Sequence, residues 1–204
     1  MTIWYLCPSA NPRAVECLGE WRELGYKLFI LGEDDYGLAD RFERVSRADF
    51  KGCVWANNLM IDKMMGEADL VWVGSDDYYP DKRYSAEDVA SIYKSVFPKL
   101  DGVMEAGDGK RPYERELAIA PIIGSAYIEK HRPTWPDGYY HFCADRELAI
   151  IASKEGAFIN EKRLKFNHRH WSITGEAQPE HMERWERLYV KDRDVFRQRW
   201  GPEL

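Results

Sequence analysis

A chain of 204 residues with 45% hydrophobic content has material for one sizeable core, which excludes a disordered protein and makes a single domain the simplest division. The net charge is −6; the acidic excess lies before residue 160, and beyond it Lys and Arg outnumber Asp and Glu. Such a field repels nucleic acid at long range, leaving the C-terminal face either as a place to meet phosphate or as an ordinary solvated helix of mixed charge. Cys7, Cys17, Cys53 and Cys143 lack CxxC spacing, so neither a zinc site nor a disulfide framework is signalled. The start, MTIWYLCPSA, has no basic segment and too short an apolar run for a signal peptide, and no stretch has membrane-spanning length, so a cytoplasmic location is expected. Eight Trp and twelve Tyr either fill a core or line a carbohydrate- or base-binding cleft.

In chain order, Thr2–Cys7 reads as a buried strand ending at Pro8. Asn11-Pro12 opens a helix with Ala14, Cys17, Leu18, Trp21 and Leu24 at helical spacing, and Gly25 ends it. Tyr26–Leu31 is a second buried strand running into Gly32-Glu33-Asp34-Asp35, and strand, helix and strand with such short connections form a parallel βαβ unit. A helix around Asn57–Gly66 and a strand Leu70–Val73 follow, the strand leading into Gly74-Ser75-Asp76-Asp77 and a proline turn. Ser85 to Asp88 reads as a capping box for a helix carrying Val89, Ile92, Tyr93 and Val96, closed by Pro98.

Asp101–Ala106 reads as a strand and Gly107–Glu116 as a polar, glycine-rich loop. In that loop Lys110, Arg111 and Arg115 form either a lid over an anionic ligand or a solvated surface. Ala120–Ile128 is apolar and broken at Gly124; Ala144–Gly156 is a helix with a glycine C-cap; Lys165–Trp171 is extended; Pro179–Trp200 is a long amphipathic helix. The pattern predicts an α/β, Rossmann-like single domain with a mixed, mostly parallel sheet flanked by helices.

Ligands of open α/β sheets sit at the carboxyl ends of strands. Three such ends carry polar loops, at 8–12, 32–35 and 74–77, and two of them are acidic. Paired carboxylates there serve acid/base chemistry or hold a divalent cation against a phosphate-bearing substrate; the same residues also make an ordinary turn. His168 and His170 alternate and so share one face of a strand, as metal ligands or as hydrogen-bonded structural residues. Trp135 and Tyr139-Tyr140-His141 either stack on a sugar or base or pack in the core.

In order and spacing, these pieces resemble the family 2-like glycosyltransferases of the GT-A fold, in the compact form found in phage and bacteria. Ser75-Asp76-Asp77 stands where the family's DXD-type motif holds metal and nucleotide-sugar, with serine at its first position. The resemblance implies that Asp77 binds Mn²⁺ or Mg²⁺ with His168 or His170, and that Asp76 faces the ribose. Pro8, Ser9 and Asn11 then receive the nucleotide base, Asp34 and Asp35 pair with it, and Asn58 or Asn57 takes the family's Asn position. Gly124-Ser125 is similar to the small pair of the acceptor-side strand. Asp145, in FCADREL with Ala144 replacing the family's first acid, matches the catalytic base of inverting members. An N-cap is the structural alternative for Asp145.

The implied activity is metal-dependent transfer of a sugar from a nucleotide-sugar donor to an acceptor hydroxyl, with inversion. Residues about 1–105 would form the donor half and about 106–204 the acceptor and catalytic half, the acceptor being a glycan, a lipid-linked sugar, a protein or a modified nucleic-acid base. A sugar nucleotidyltransferase is a second reading, but PSANPRA lacks the glycine-rich basic signature expected after its first strand. A non-catalytic glycan- or nucleotide-binding module of the same fold is a third, kept open by Ser75 and Ala144.

Overall fold

The computed structural model describes residues 1–8, 14–32, 42, 44–108, 117–169 and 182–202. In chain order the elements are β1 (Ile3–Cys7), α1 (Ala14–Glu23), β2 (Lys27–Gly32), β3 (Arg44–Arg47), α2 (Cys53–Met64), β4 (Leu70–Val73) and β5 (Tyr78–Pro80). Then come α3 (Ala86–Val96), β6 (Val103–Gly107), β7 (Pro121–Gly124), α4 (Ser125–Lys130), α5 (Ala144–Lys154), β8 (Phe158–His168) and a last helix, α6 (Met182–Trp200). One eight-stranded sheet has the order β3-β2-β1-β4-β7-β6-β8-β5. The first four strands are mutually parallel, β7 runs against both β4 and β6, β8 is parallel to β6, and β5 is antiparallel to β8.

Both faces of the sheet are covered, which is why the central strands read as unbroken apolar runs. On β1, Ile3, Tyr5 and Cys7 face a core built with α1 and α3, while Trp4 and Leu6 face a second core built with α2, α4, α5 and α6. Trp21 of α1 is almost wholly buried between Tyr5, Tyr26 and Trp72, the Tyr5 ring stacked on it at 4.2 Å. The predicted capping box is present: Ser85 accepts from the Asp88 amide, and Asp88 accepts from the Ser85 amide at 2.9 Å.

Two short strands are additions to the sequence reading. β3 is four residues with no apolar run. β5 replaces the expected proline turn; Pro80 is tolerated because β5 is a sheet edge, where a missing amide leaves no ladder bond broken. β8 begins at Phe158, earlier than expected, and its partner changes along its length. Its first half pairs with β6, the register shifts beside Ala106 and Gly107, and its end pairs with β5. A strand with two partners and a bulge has no single alternating pattern to announce it.

The capping box makes the first fold prediction. Ser85→Ala leaves the Asp88 amide without its side-chain acceptor and should lower stability by about 1 kcal/mol, seen as a shifted urea midpoint at unchanged slope.

Candidate active site

The strand end after β4 is held from both sides. Tyr5 is fully buried on neighbouring β1; its hydroxyl accepts from the Ser75 amide at 3.0 Å and donates to the Ser75 carbonyl at 2.7 Å. Gly74 is required there, because a β-carbon would run into the Tyr5 ring and hydroxyl. Beyond the acids, the Tyr78 carbonyl accepts from the Trp21 indole at 2.6 Å and from the Cys17 thiol at 3.1 Å. Ser75-Asp76-Asp77 is thus suspended between Tyr5 of β1 and the buried face of α1.

From Tyr78 the chain enters β5, and the pairing of Tyr78 with His168 brings the end of β8 alongside. The Arg169 amide donates to the Asp77 carbonyl at 2.9 Å, and His168 Nε2 lies 3.5 Å from Asp77 Oδ2. Asp76, Asp77 and His168 are all buried. Asp76 Oδ1 accepts from the Ser75 hydroxyl at 3.2 Å, so the serine in the first motif position supports its neighbouring acid. Burial, and then the charges of Asp76 and Asp77, push the Cys17 thiol well above its ordinary range; it stays a neutral donor.

Asp145 belongs to the same edge. β7 starts there at Pro121, opposite Glu105 of β6, and the Asp145 carbonyl accepts from the Ala118 amide just before β7. Asp145 is not an N-cap: that position is Cys143, in the left-handed region at φ 65° and without a side-chain capping bond, and Asp145 lies half-buried in the first turn of α5.

Sequence reasoning missed Glu105, whose only signal is a lone acid inside the apolar run VMEAG. It is fully buried, and both its oxygens face the Ala120 amide, at 3.2 and 3.1 Å. Burial raises its pKa well above the ordinary range; the Ala120 bond works against this, and the charges of Asp145 and Asp108 add to it.

Pro8 is buried directly after β1, at this edge. The Asn58 side-chain amide donates to the Trp135 carbonyl at 3.0 Å and accepts from the Trp135 amide at 2.9 Å, tying α2 to the loop before α5. Trp135 and Tyr139 are buried and belong to the core. Asp192 was also missed; it accepts three main-chain bonds from residues 140–142. Ser9, Asn11, Asp34, Asp35 and His170, and the loop cations Lys110, Arg111 and Arg115, lie outside the described residues.

No protein-family model and no curated protein sequence matches the chain. Solved structures do. A Drosophila β-1,4-galactosyltransferase 7 mutant, in complex with manganese, UDP-Gal and xylobiose, aligns with a TM-score of 0.58 at 10% identity, over 92% of this chain and 79% of that one. A glycosyltransferase involved in glycosylating the major capsid of PBCV-1 aligns with a TM-score of 0.53 at 11% identity, over 83% and 94%. The chain has the GT-A fold. This GT-A domain carries its acidic strand end, its late histidine and the α5 carboxylate at one sheet edge. Among the described residues no three His, Cys, Asp or Glu side chains group closely enough to hold a metal alone, and no helix is long and apolar enough to cross a membrane.

Glu105 gives a pH prediction. With a folded pKa above the unfolded value near 4.5, the native state binds the extra proton, so this group's contribution is fully present below pH 4.5 and is lost as pH rises. Glu105→Gln keeps an acceptor for Ala120 and cannot ionise. Its urea-derived stability relative to wild type should therefore increase on going from pH 4.5 to pH 7.5; a constant or falling difference would show that Glu105 is ionised in the fold.

Proposed function

We propose that the chain is a metal-dependent glycosyltransferase that moves a sugar from a nucleotide-sugar donor to an acceptor hydroxyl with inversion. The donor half is about 1–105 and the acceptor and catalytic half about 106–204. The observation that carries the reading is the β5–β8 pairing, which sets His168 Nε2 3.5 Å from Asp77 Oδ2 at the same edge as Asp145. The GT-A fold, shared with a galactosyltransferase whose complex holds manganese and UDP-Gal, supports it.

One buried carboxylate and one imidazole suit Mn²⁺ better than Mg²⁺, and two ligands leave room for diphosphate oxygens around the same ion. Asp77 and His168 would hold that ion, which when bound would supply positive charge against the leaving diphosphate. Asp76, oriented by the Ser75 hydroxyl, is assigned to the ribose, and Pro8, Ser9, Asn11, Asp34 and Asp35 to the base and its surroundings. On the other side of the sugar, Asp145 takes the proton from the acceptor hydroxyl as its oxygen attacks the anomeric carbon. Asp145 lies in the first turn of α5, where its carboxylate would be within reach of the acceptor hydroxyl. Burial pushes Glu105 toward its neutral form, which works against a second negative charge beside Asp145.

The test is a thermal-shift screen of nucleoside diphosphates and nucleotide-sugars with and without Mn²⁺ or Mg²⁺. A donor that binds the native state raises the melting temperature by mass action. The shift should require metal and vanish in Asp77→Asn. Asp145→Asn should keep the shift and lose turnover by about 100-fold or more. A folded protein that no donor stabilises would sink the transferase reading in favour of a module that binds something else.

A further inference from the structure

We propose that Asp192, on the last helix, is a positioning residue for Asp145: its carboxylate sets the main chain that aims the first turn of α5. The inference rests on the transferase reading, in which Asp145 is the base. Asp192 is 3% exposed, and its oxygens accept from three consecutive amides, Tyr140 at 2.9 Å, His141 at 2.8 Å and Phe142 at 2.7 Å. Three consecutive amides closing on one side chain fix the course of that stretch of main chain. They also explain how this polar group is tolerated in the core, since a buried polar group is costly unless it is hydrogen-bonded.

What the grip controls follows from the next three residues. Cys143 is in the left-handed region, a conformation that is strained for a non-glycine residue and persists only where its surroundings over-determine it. α5 has no side-chain capping bond, so its starting direction depends on the loop before it together with the ties on its first turn. Other ties flank the gripped segment. Arg199 donates to the Asp137 carbonyl at 2.8 Å and to Glu147 at 2.8 Å, Tyr139 also donates to Glu147, and the Cys53 thiol and His141 Nδ1 lie 2.7 Å apart. Those contacts hold the start of the loop, one side chain within it and, through Glu147, the first turn of α5 from its other side. Asp192 is what holds the amides of 140–142, immediately ahead of the left-handed residue and the base. α6 thereby joins the far end of the chain to the catalytic edge.

The experiment compares Asp192→Asn with Ser85→Ala, a stability control remote from the site. Thermal denaturation, hydrogen exchange over residues 140–147, and nucleotide release from a panel of UDP-, GDP- and dTDP-sugars with Mn²⁺ are measured on each. Asp192→Asn keeps the shape but loses the charge and one acceptor oxygen. It should fold, exchange faster at 140–147, keep donor KM within about threefold and lose about 100-fold in kcat, the penalty of a misplacement on the order of 1 Å. Ser85→Ala should lose stability with kcat unchanged. Wild-type kcat in Asp192→Asn, or an equal loss of kcat in Ser85→Ala, would overturn the positioning role and leave the transferase reading standing. A wild-type protein that releases nucleotide from no donor would remove both.

Discussion

The backbone between β4 and β5 turns out of the sheet inside a buried region, and its amide and carbonyl groups must find partners there. Tyr5 and Trp21 supply them. One phenol closes on both main-chain groups of Ser75, and one indole closes on the Tyr78 carbonyl, with the Cys17 thiol beside it. The two rings stack on each other, so the donors are held by the same packing that builds the α1 face of the core. Buried polar groups left unpaired cost about 1–3 kcal/mol each, so this arrangement is a constraint on the fold and not an ornament. It decides the direction in which the chain leaves Asp77, hence where β5 lies, hence which residue of β8 stands against the acid.

The second half of the site is organised by charge kept out of water. Glu105 and Asp192 are both buried and both accept main-chain amides, but they are held differently. Glu105 faces the amides of Ala120 and Ile119, has like charges as neighbours and is pushed toward its neutral form. Asp192 accepts three amides from a loop that leads directly into α5. Asp192 thus fixes the loop that leads to Asp145, while Glu105 lies beside it with its charge disfavoured. Asp77 and His168 differ from both, because they are buried facing each other, Nε2 to Oδ2 at 3.5 Å.

Much of this was readable from the chain. Leu70–Val73 is a continuous apolar run stopped by glycine, and it is β4 with those bounds. The Ser85–Asp88 box, the α1 stripe and the glycine after α5 each follow from local chemistry that tertiary packing had no cause to override. The acidic residues at the strand end, the late histidine and the carboxylate at the start of α5 were visible as residue types in an order. The clamp of Asn58 on the Trp135 backbone was not legible, because an amide has no signature separating a ligand contact from a tie to main chain. Glu105 and Asp192 were hidden for the opposite reason. A lone acid in a strand, or one acid among many on a charged helix, looks ordinary until its surroundings show it to be buried.

The sequence by itself determined the α/β class, the parallel start of the sheet and the presence of acids where strands end, because these depend on hydrophobic period, capping chemistry and glycine placement within a few residues. Only the tertiary structure decided that His168 meets Asp77, that β8 divides its pairing between β6 and β5, and that a residue of the last helix holds the loop before α5. Those contacts join positions 50 to 91 residues apart, where strand register and the need to satisfy buried amides choose the partners, and no local pattern encodes either.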